Sequence, residues 1–220
     1  MQLPRKIDSL TILGLGASIY DWVNITHQDF ADQDEVWTIN AGARLFRHDV
    51  LWDMHTPEWL ASLDDKTRDR TQRRRDWLKN HDKPIVMPKA MPDYPTSITY
   101  PLRQVIERTN SCYFATGIAY MLAMAMCCEV KRLRLFGCDF SYARDTNTHD
   151  EQGRACAEYW IGRLVERGCH VGSSANSHLM DGFKRSRGLI YGYHEPVTFD
   201  FPTEGTEVKG KFVGPDYVDQ

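Results

Sequence analysis

The chain has 220 residues, a net charge of −3 and 42% hydrophobic residues, so it is long enough to bury a full core and has the composition of a globular protein. The negative charge argues against a nucleic-acid binder, and there is neither an apolar run of the roughly 18 residues that span a membrane nor the apolar core of a signal peptide. Six cysteines without a CxxC spacing are typical of reduced thiols rather than disulfides or zinc, which predicts a cytoplasmic protein.

Short apolar segments alternate with helical ones along the chain. Six segments are predicted as strands: Leu10–Leu13, Glu35–Asn40, Asp49–Asp53, Pro84–Met87, Arg132–Gly137 and Cys169–Gly172. A nearly wholly apolar segment from Thr116 to Cys128 and an amphipathic one from Glu151 to Arg167 are predicted as helices. The alternation predicts an α/β, Rossmann-like fold, with a mostly parallel sheet and helices on both faces.

Two regions depart from this alternation. The basic segment Lys66–Lys83 is interpreted as a solvated helix face, with a nucleic-acid or acidic-partner surface as the alternative. Residues 181–220 are rich in Gly, Pro, Phe and Tyr and lack a helical period. They are expected to form an irregular extension of a domain that covers residues 1–180, as a lid, a hairpin or the arm of a homo-oligomer.

The first predicted strand runs into the sequence Gly14-Leu15-Gly16-Ala17-Ser18. In an open α/β sheet the loop after the first strand lies where ligands bind, and glycines let the backbone approach a phosphate. The motif therefore predicts a nucleotide site at Gly14, Gly16 and Ser18. A third glycine of the dinucleotide fingerprint is missing, because Ile19 stands there, and a tight turn without ligand is the alternative.

Polar residues stand where predicted strands end, which is where a doubly wound sheet places its chemistry. They are Asn40, Asp53, Asp139, and the neighbouring Ser173 and Ser174. The amide of Asn40 can bind a base or a ribose, unless it only caps a turn, and the serine hydroxyls suit a base or a sugar. Asp53 and His55 form either a metal pair or a structural contact.

The segment from Ser111 to His149 carries the remaining candidates. Thr116 and Gly117 open the apolar helix, where a hydroxyl and free N–H groups can bind phosphate. Tyr142 can donate its phenolic hydroxyl to a leaving phosphate. His149 lies in a polar loop before a helix and is a candidate general base, with His55 and His178 as alternatives.

Together these motifs resemble a known family. A strand followed by GxGxS, a strand ending in Asn, a helix opening with Thr-Gly and a strand ending in G-x-D-F-x-Y are similar to the sialyltransferases of glycosyltransferase family 42. They are equally similar to the related domain of 6-hydroxymethylpterin diphosphokinases, of flagellin-glycosylation proteins and of small phage proteins. The resemblance covers about Leu10 to Ser177 and implies that the glycine loop, Asn40, Thr116 and Gly117 bind a cytidine nucleotide. It also implies that Tyr142 holds the leaving phosphate and that His149 is the base.

The resulting functional hypothesis is a nucleotide-dependent group transferase. Glycosyl transfer from a nucleotide sugar, with a CMP-type donor favoured, is the first choice. One alternative is a Mg²⁺-dependent diphosphokinase, in which Asp53 or Asp139 would hold the metal. The other is a module that binds a nucleotide without catalysis. The acceptor, the sugar and the base of the donor stay open.

Overall fold

A computed structural model describes residues 3–25, 35–56, 68–140 and 147–180. Within these ranges, seven strands form one sheet in the order β5-β4-β3-β2-β1-β6-β7. All pairings are parallel, which confirms the predicted α/β class. The strands are β1 (Ser9–Leu13), β2 (Glu35–Ile39), β3 (Val50–Trp52), β4 (Ile85–Met87), β5 (Ser97–Thr99), β6 (Arg132–Phe136) and β7 (His170–Ser173).

Helical segments connect these strands. They are α1 (Ile19–Ile25), a 3₁₀ helix (Asn40–Arg44), α2 (Arg68–Lys79), α3 (Leu102–Thr109), α4 (Gly117–Cys127) and α5 (Asn147–Glu166). The chain builds the sheet outward from β1 to β5 and then crosses back through α3 and α4 to place β6 on the other side of β1. The topological switch point therefore lies between β1 and β6.

The apolar side chains of the strands alternate between two layers. Leu10 and Ile12 of β1 pack in the large core that contains α4 and α5, whereas Leu13 packs on the opposite face against Trp22 of α1. On that same opposite face, Leu78 of α2 packs with residues of β3 and β4. Helices thus cover both faces of the sheet, as the sequence predicts.

The structure contains elements that the sequence analysis does not predict, among them β5 and α3. The edge strand β5 has only three residues, none of them fully buried, so it carries no apolar run that would mark it in the sequence. Helix α3 follows Pro101 directly and is only eight residues long. Its amphipathic pattern is therefore too short to be recognised in the sequence. The predicted extension, 181–220, lies outside the described residues. None of the helices in the described part of the chain is long and apolar enough to cross a membrane.

Candidate functional site

The polar residues singled out in the sequence gather at the carboxyl edge of the sheet. The segments that follow β1, β2, β3, β6 and β7 all begin there because the strands are parallel. In doubly wound folds, ligands bind outside this edge near the switch point. The contacts of each segment show which polar groups are hydrogen-bonded within the fold and which could bind a ligand.

Ser18 and Asp139 bond to each other across the switch point. The Ser18 backbone N–H donates to Asp139 Oδ2 at 2.6 Å, and the Ser18 hydroxyl donates to Oδ1 of the same carboxylate. Gly137 N–H in turn donates to Ser18 Oγ at 2.9 Å. Both side chains are buried, with 2% and 3% exposure. We call this arrangement of Ser18, Asp139 and their glycine neighbours the loop lock, because it ties the loops after β1 and β6 together.

The glycines of this region are required by the close approach of the two loops. Gly16 N–H donates to Gly137 O at 2.7 Å, and a Cβ at Gly16 would lie 2.5 Å from Asp139 Oδ2. A Cβ at Gly14 would collide with the Gly137 carbonyl, and Gly137 itself has φ +66°. The glycines predicted to approach a phosphate are therefore also needed for contact between loops.

Asn40 presents a polar atom that the fold does not use. It follows β2 directly and adopts a left-handed backbone conformation with φ 52°. Its Oδ1 is buried and accepts no hydrogen bond within the described structure. A buried acceptor without a partner costs free energy, so Asn40 is the predicted site residue whose geometry most directly calls for a ligand.

Thr116 and Gly117 begin α4, and Gly117 lies against Ile39, the residue before Asn40. Thr116 is the N-cap of α4, and its hydroxyl accepts from Ala119 N–H at 3.3 Å. A Cβ at Gly117 would collide with Cδ1 of Ile39, the last residue of β2. The start of α4 thus lies against the end of β2, and the positive end of its helix dipole favours an anion there.

Ser173 and Ser174 stand at the end of β7. The Ser174 hydroxyl donates to Asp21 Oδ2 of α1, and Asn176 Nδ2 donates to both oxygens of the same carboxylate at 3.0 Å. These bonds attach the loop after β7 to α1. Ser173 is the half-buried last residue of its strand.

The Asp53–His55 pair is a hydrogen-bonded dyad that Arg74 completes. Nδ1 of His55 lies 2.7 Å from Asp53 Oδ1, and Arg74 Nη2 donates to Oδ2 at 2.5 Å. Asp53 is 1% exposed, whereas the side chains of His55 and Arg74 are 27% and 25% exposed. Burial alone would raise the pKa of Asp53, but the hydrogen bond from His55 and the charge of Arg74 outweigh it and hold that pKa below its ordinary value.

We call Asn40, Asp53, His55 and Arg74 together the polar edge. The role of Arg74 has no signal in the sequence, because it is one of several arginines in a basic helix and only the fold brings it to Asp53. Phe140 of the G-x-D-F-x-Y motif follows Asp139 and adopts φ 45°, a conformation that the sequence does not predict. Such a backbone conformation is rare for a bulky residue.

The side chains of two predicted catalytic residues, Tyr142 and His149, are not among those that the structure describes. Tyr142 lies outside the described residues. The prediction that His149 lies in a loop before a helix is wrong, because its backbone belongs to the first turn of α5; its side chain is outside the described set. Their roles stay predictions. His178, the remaining alternative base, is half-buried in the loop that follows β7.

The two carboxylates considered for magnesium have other partners. Asp139 accepts two bonds from Ser18, and Asp53 accepts from His55 and Arg74. Within the described ranges, no group of three or more His, Cys, Asp or Glu side chains is placed to hold a metal ion. A guanidinium 2.5 Å from one carboxylate oxygen is a poor neighbour for Mg²⁺, so the donor set does not fit this ion.

Comparison with known proteins yields a structural likeness. No family model matches the chain, and no curated protein matches its sequence. The fold is similar to that of the sialyltransferase CstII from Campylobacter jejuni, whose structure was solved in complex with the substrate analogue CMP-3FNeuAc, with a TM-score of 0.50 and 14% identity. The similarity covers 80% of this chain and 84% of the sialyltransferase chain. At this identity the likeness shows a shared fold.

Proposed function

We propose that the protein transfers a glycosyl group from a nucleotide sugar, with a CMP-type donor, to a hydroxyl acceptor. The observation that carries this proposal is the buried Asn40 Oδ1, which has no partner in the described structure and lies at the carboxyl edge of a sialyltransferase-like fold. A carbonyl oxygen in this position accepts a hydrogen bond from a base amino group or a ribose hydroxyl.

The surroundings of Asn40 suit the phosphate of the same ligand. The N-terminus of α4 supplies N–H groups and the positive end of a helix dipole. Thr116 keeps its hydroxyl proton for a ligand, because its oxygen acts as the acceptor in the cap. In this proposal Tyr142 donates to the leaving phosphate, as the resemblance implies. The loop of Gly14 and Gly16 forms the wall of the site, and the loop lock holds that wall in place.

The chemistry of the donor set favours glycosyl over diphosphoryl transfer. Diphosphoryl transfer needs a cation, most often Mg²⁺, to neutralise the charge that develops on the phosphates. Asp53 and Asp139, the carboxylates available for that role in the sequence hypothesis, are committed to Arg74, His55 and Ser18. Transfer of a sugar from a nucleoside monophosphate can proceed by positioning the donor, a base and hydrogen bonds to one phosphate.

A matched pair of asparagine variants tests the nucleotide site. Asn40→Gly removes the unpartnered oxygen but keeps a residue that tolerates φ 52°. Asn110→Gly makes the same change at φ 50° at the C-cap of α3. We expect CMP, at about 100 times its dissociation constant, to stabilise the wild type by roughly 2.7 kcal/mol. Asn40→Gly should weaken CMP binding about tenfold, whereas Asn110→Gly should leave it unchanged.

The binding panel should include CMP, UMP, GMP and AMP, each with and without Mg²⁺, measured by calorimetry and thermal shift. A failure of all four nucleotides to bind would contradict the proposal. Turnover of an ATP substrate that requires Mg²⁺ would favour the diphosphokinase. Tight CMP binding, with no release of CMP from CMP-linked sialic acid, would identify a binding module without catalysis.

A further inference from the structure

The geometry points to a site for a divalent transition-metal ion, such as Zn²⁺, between His48 and His81 at the amino edge of the sheet. The Nε2 atoms of the two rings bind the ion, and water molecules complete its coordination. Imidazole is a ligand for Zn²⁺, Ni²⁺ and Cu²⁺ rather than for Mg²⁺. The site goes beyond the proposed function, because the ion joins two connections of the fold and takes no part in the transfer reaction.

The fold brings these two histidines together from distant parts of the chain. His48 lies in the connection that leads into β3, and His81 follows α2 in the connection that leads into β4. These strands are parallel neighbours, with Leu51 paired to Ile85. The two connections therefore meet at the amino edge of the sheet, opposite the carboxyl edge that carries Asn40.

The spacing of the two ring nitrogens matches that of two ligands on one ion. His48 Nε2 and His81 Nε2 are 3.2 Å apart. Zinc binds imidazole nitrogen at about 2.0–2.1 Å in a tetrahedral arrangement, so two such nitrogens lie about 3.3 Å from each other. The ring planes differ by 8° and the ring centroids are 5.1 Å apart, which suits two imidazoles that bind an ion between their edges.

A backbone carbonyl orients the ring of His48. Its Nδ1 lies 2.9 Å from Phe46 O, and because a carbonyl oxygen can only accept, Nδ1 carries the proton. The neutral ring then has its lone pair on Nε2, the atom that faces His81. Metal-binding histidines commonly donate their other ring N–H to a backbone carbonyl, which fixes the tautomer and makes the ligand more basic.

Aromatic packing holds the ring of His81. Trp77 of α2 packs against it with the ring centroids 4.6 Å apart, and Arg44 Cζ lies 5.1 Å from the centroid of Trp77 on the same helix. His81 is 9% exposed, whereas His48 is half-buried, so an ion can approach from the His48 side and keep water ligands there. Ligands that are held in place before the ion arrives lose little conformational entropy on binding.

Metal binding replaces the proton that lies between the two rings. In the metal-free protein His48 Nε2 is the acceptor, so this proton belongs to His81 Nε2. When the ion binds, that nitrogen loses the proton and Nδ1 of the same ring takes one up, so both rings stay neutral. Two metal–nitrogen bonds replace one N–H···N hydrogen bond and two water ligands of the ion. Besides His48, the charged side chains that act on His81 are Asp82 and Lys83, whose charges are opposite.

Titration of the full chain with Zn²⁺, after treatment with a chelator and under reducing conditions, tests the site. We expect saturable one-to-one binding by calorimetry and a rise in Tm that EDTA reverses. His48→Gln and His81→Gln should each weaken Zn²⁺ binding at least about tenfold and abolish the rise in Tm. The matched control is His170→Gln, at the exposed first residue of β7, which should bind Zn²⁺ as the wild type does.

A wild type without saturable Zn²⁺ binding would overturn the inference, as would binding that His48→Gln retains in full. If His81→Gln does not fold, His48→Gln decides alone, because its ring is the less buried of the two. Titration with Co²⁺ separates the histidines from the cysteines: a sulfur-to-cobalt charge-transfer band would place the ion on a thiolate and contradict the site. CMP binding should be equal in the wild type and His48→Gln, so the proposed function and this site succeed or fail independently.

Discussion

The loop lock and the polar edge lie on the same side of one sheet but differ in how their polar groups are satisfied. In the loop lock, the Asp139 carboxylate and the Ser18 hydroxyl bond to each other and to backbone N–H groups, and both residues are buried. In the polar edge, Asn40 Oδ1 has no partner in the described structure, and His55 and Arg74 are partly exposed. The first region satisfies its polar groups within the fold, and the second contains the unpartnered Asn40 Oδ1, where we propose that a ligand binds.

This comparison changes how the glycine motif is understood. The Gly14–Ser18 segment has the sequence of a phosphate-binding turn, yet its glycines contact Gly137 and Asp139. A variant at Gly16 would therefore disturb the fold before it reported on a ligand. Residues of the polar edge are the better choice for testing function, and residues of the loop lock for testing stability.

Removal of the Asp139 carboxylate should have the largest effect on stability. Asp139→Ala leaves the buried N–H and hydroxyl of Ser18 without their acceptor, and each unsatisfied buried group costs about 1–3 kcal/mol. We expect the free energy of unfolding in urea to fall by about 3 kcal/mol. Asp139→Asn keeps one carbonyl acceptor and should lose less.

The control for this variant is an exposed aspartate. The side chain of Asp8 is 82% exposed and pairs with Lys131 at 3.0 Å, so Asp8→Ala should change the free energy of unfolding by less than about 0.5 kcal/mol. Equal effects at Asp8 and Asp139 would contradict the existence of the loop lock as a stabilising contact.

A pair of glycine variants tests the same region from the backbone side. The Cβ of Gly16→Ala would lie 2.5 Å from Asp139 Oδ2, whereas Gly162 in α5 has open space around a new Cβ. Gly16→Ala should destabilise the protein by about 1–3 kcal/mol through overpacking. Gly162→Ala should stabilise it by about 0.5–1 kcal/mol through helix propensity. Thermal and urea unfolding of both proteins would measure the contrast.

Asp53 gives the polar edge a predicted dependence on pH. Because its folded pKa is lowered, the unfolded chain takes up the proton first, near the ordinary value of about 3.9. The stabilisation is therefore complete above about pH 4 to 5 and is lost as the pH falls through the lower folded pKa. Urea unfolding from pH 6 down to pH 2.5 should show this loss in the wild type. Asp53→Asn should have a smaller slope over the same range, and identical slopes would contradict the assignment.

The sequence predicted the parts of the fold that depend on local pattern. Segments such as Leu10–Leu13 and Glu35–Asn40 were recognised because each is a short, buried apolar run between helices. The pattern of β5 was too short and too exposed to be recognised. The ends of the segments are also less well predicted. Helix α5 begins at Asn147 in the structure, whereas the sequence pattern predicts a start at Glu151.

The sequence predicts where the candidate site lies in the fold, but not which of its residues form hydrogen bonds with each other. Parallel strands place Asn40, Asp53 and Asp139 at one edge of the sheet, and this follows from the alternation alone. The partner of each residue depends on long-range contacts: Ser18 meets Asp139 across 121 positions, and Arg74 reaches Asp53 from a helix whose arginines look alike in the sequence. Local spacing identified Asp53 and His55 as a pair because they are two residues apart.

The sharpest test of the comparison is at Asn40, where the change in stability is expected to be as small as that of the Asp8 control. Asn40→Gly removes a buried acceptor that has no partner in the described structure, so the fold loses no hydrogen bond. Glycine adopts φ 52° without strain but gains entropy in the unfolded chain. These effects oppose each other, and we expect the free energy of unfolding to change by less than about 0.5 kcal/mol while CMP binding weakens about tenfold. A residue whose removal harms binding but not stability is typical of a site that trades stability for function. Asn110→Gly undergoes the same backbone change and should have no effect on binding. If Asn40→Gly instead unfolded the protein as readily as Asp139→Ala, Asn40 would belong with the loop lock, and the distinction between the two regions would fail.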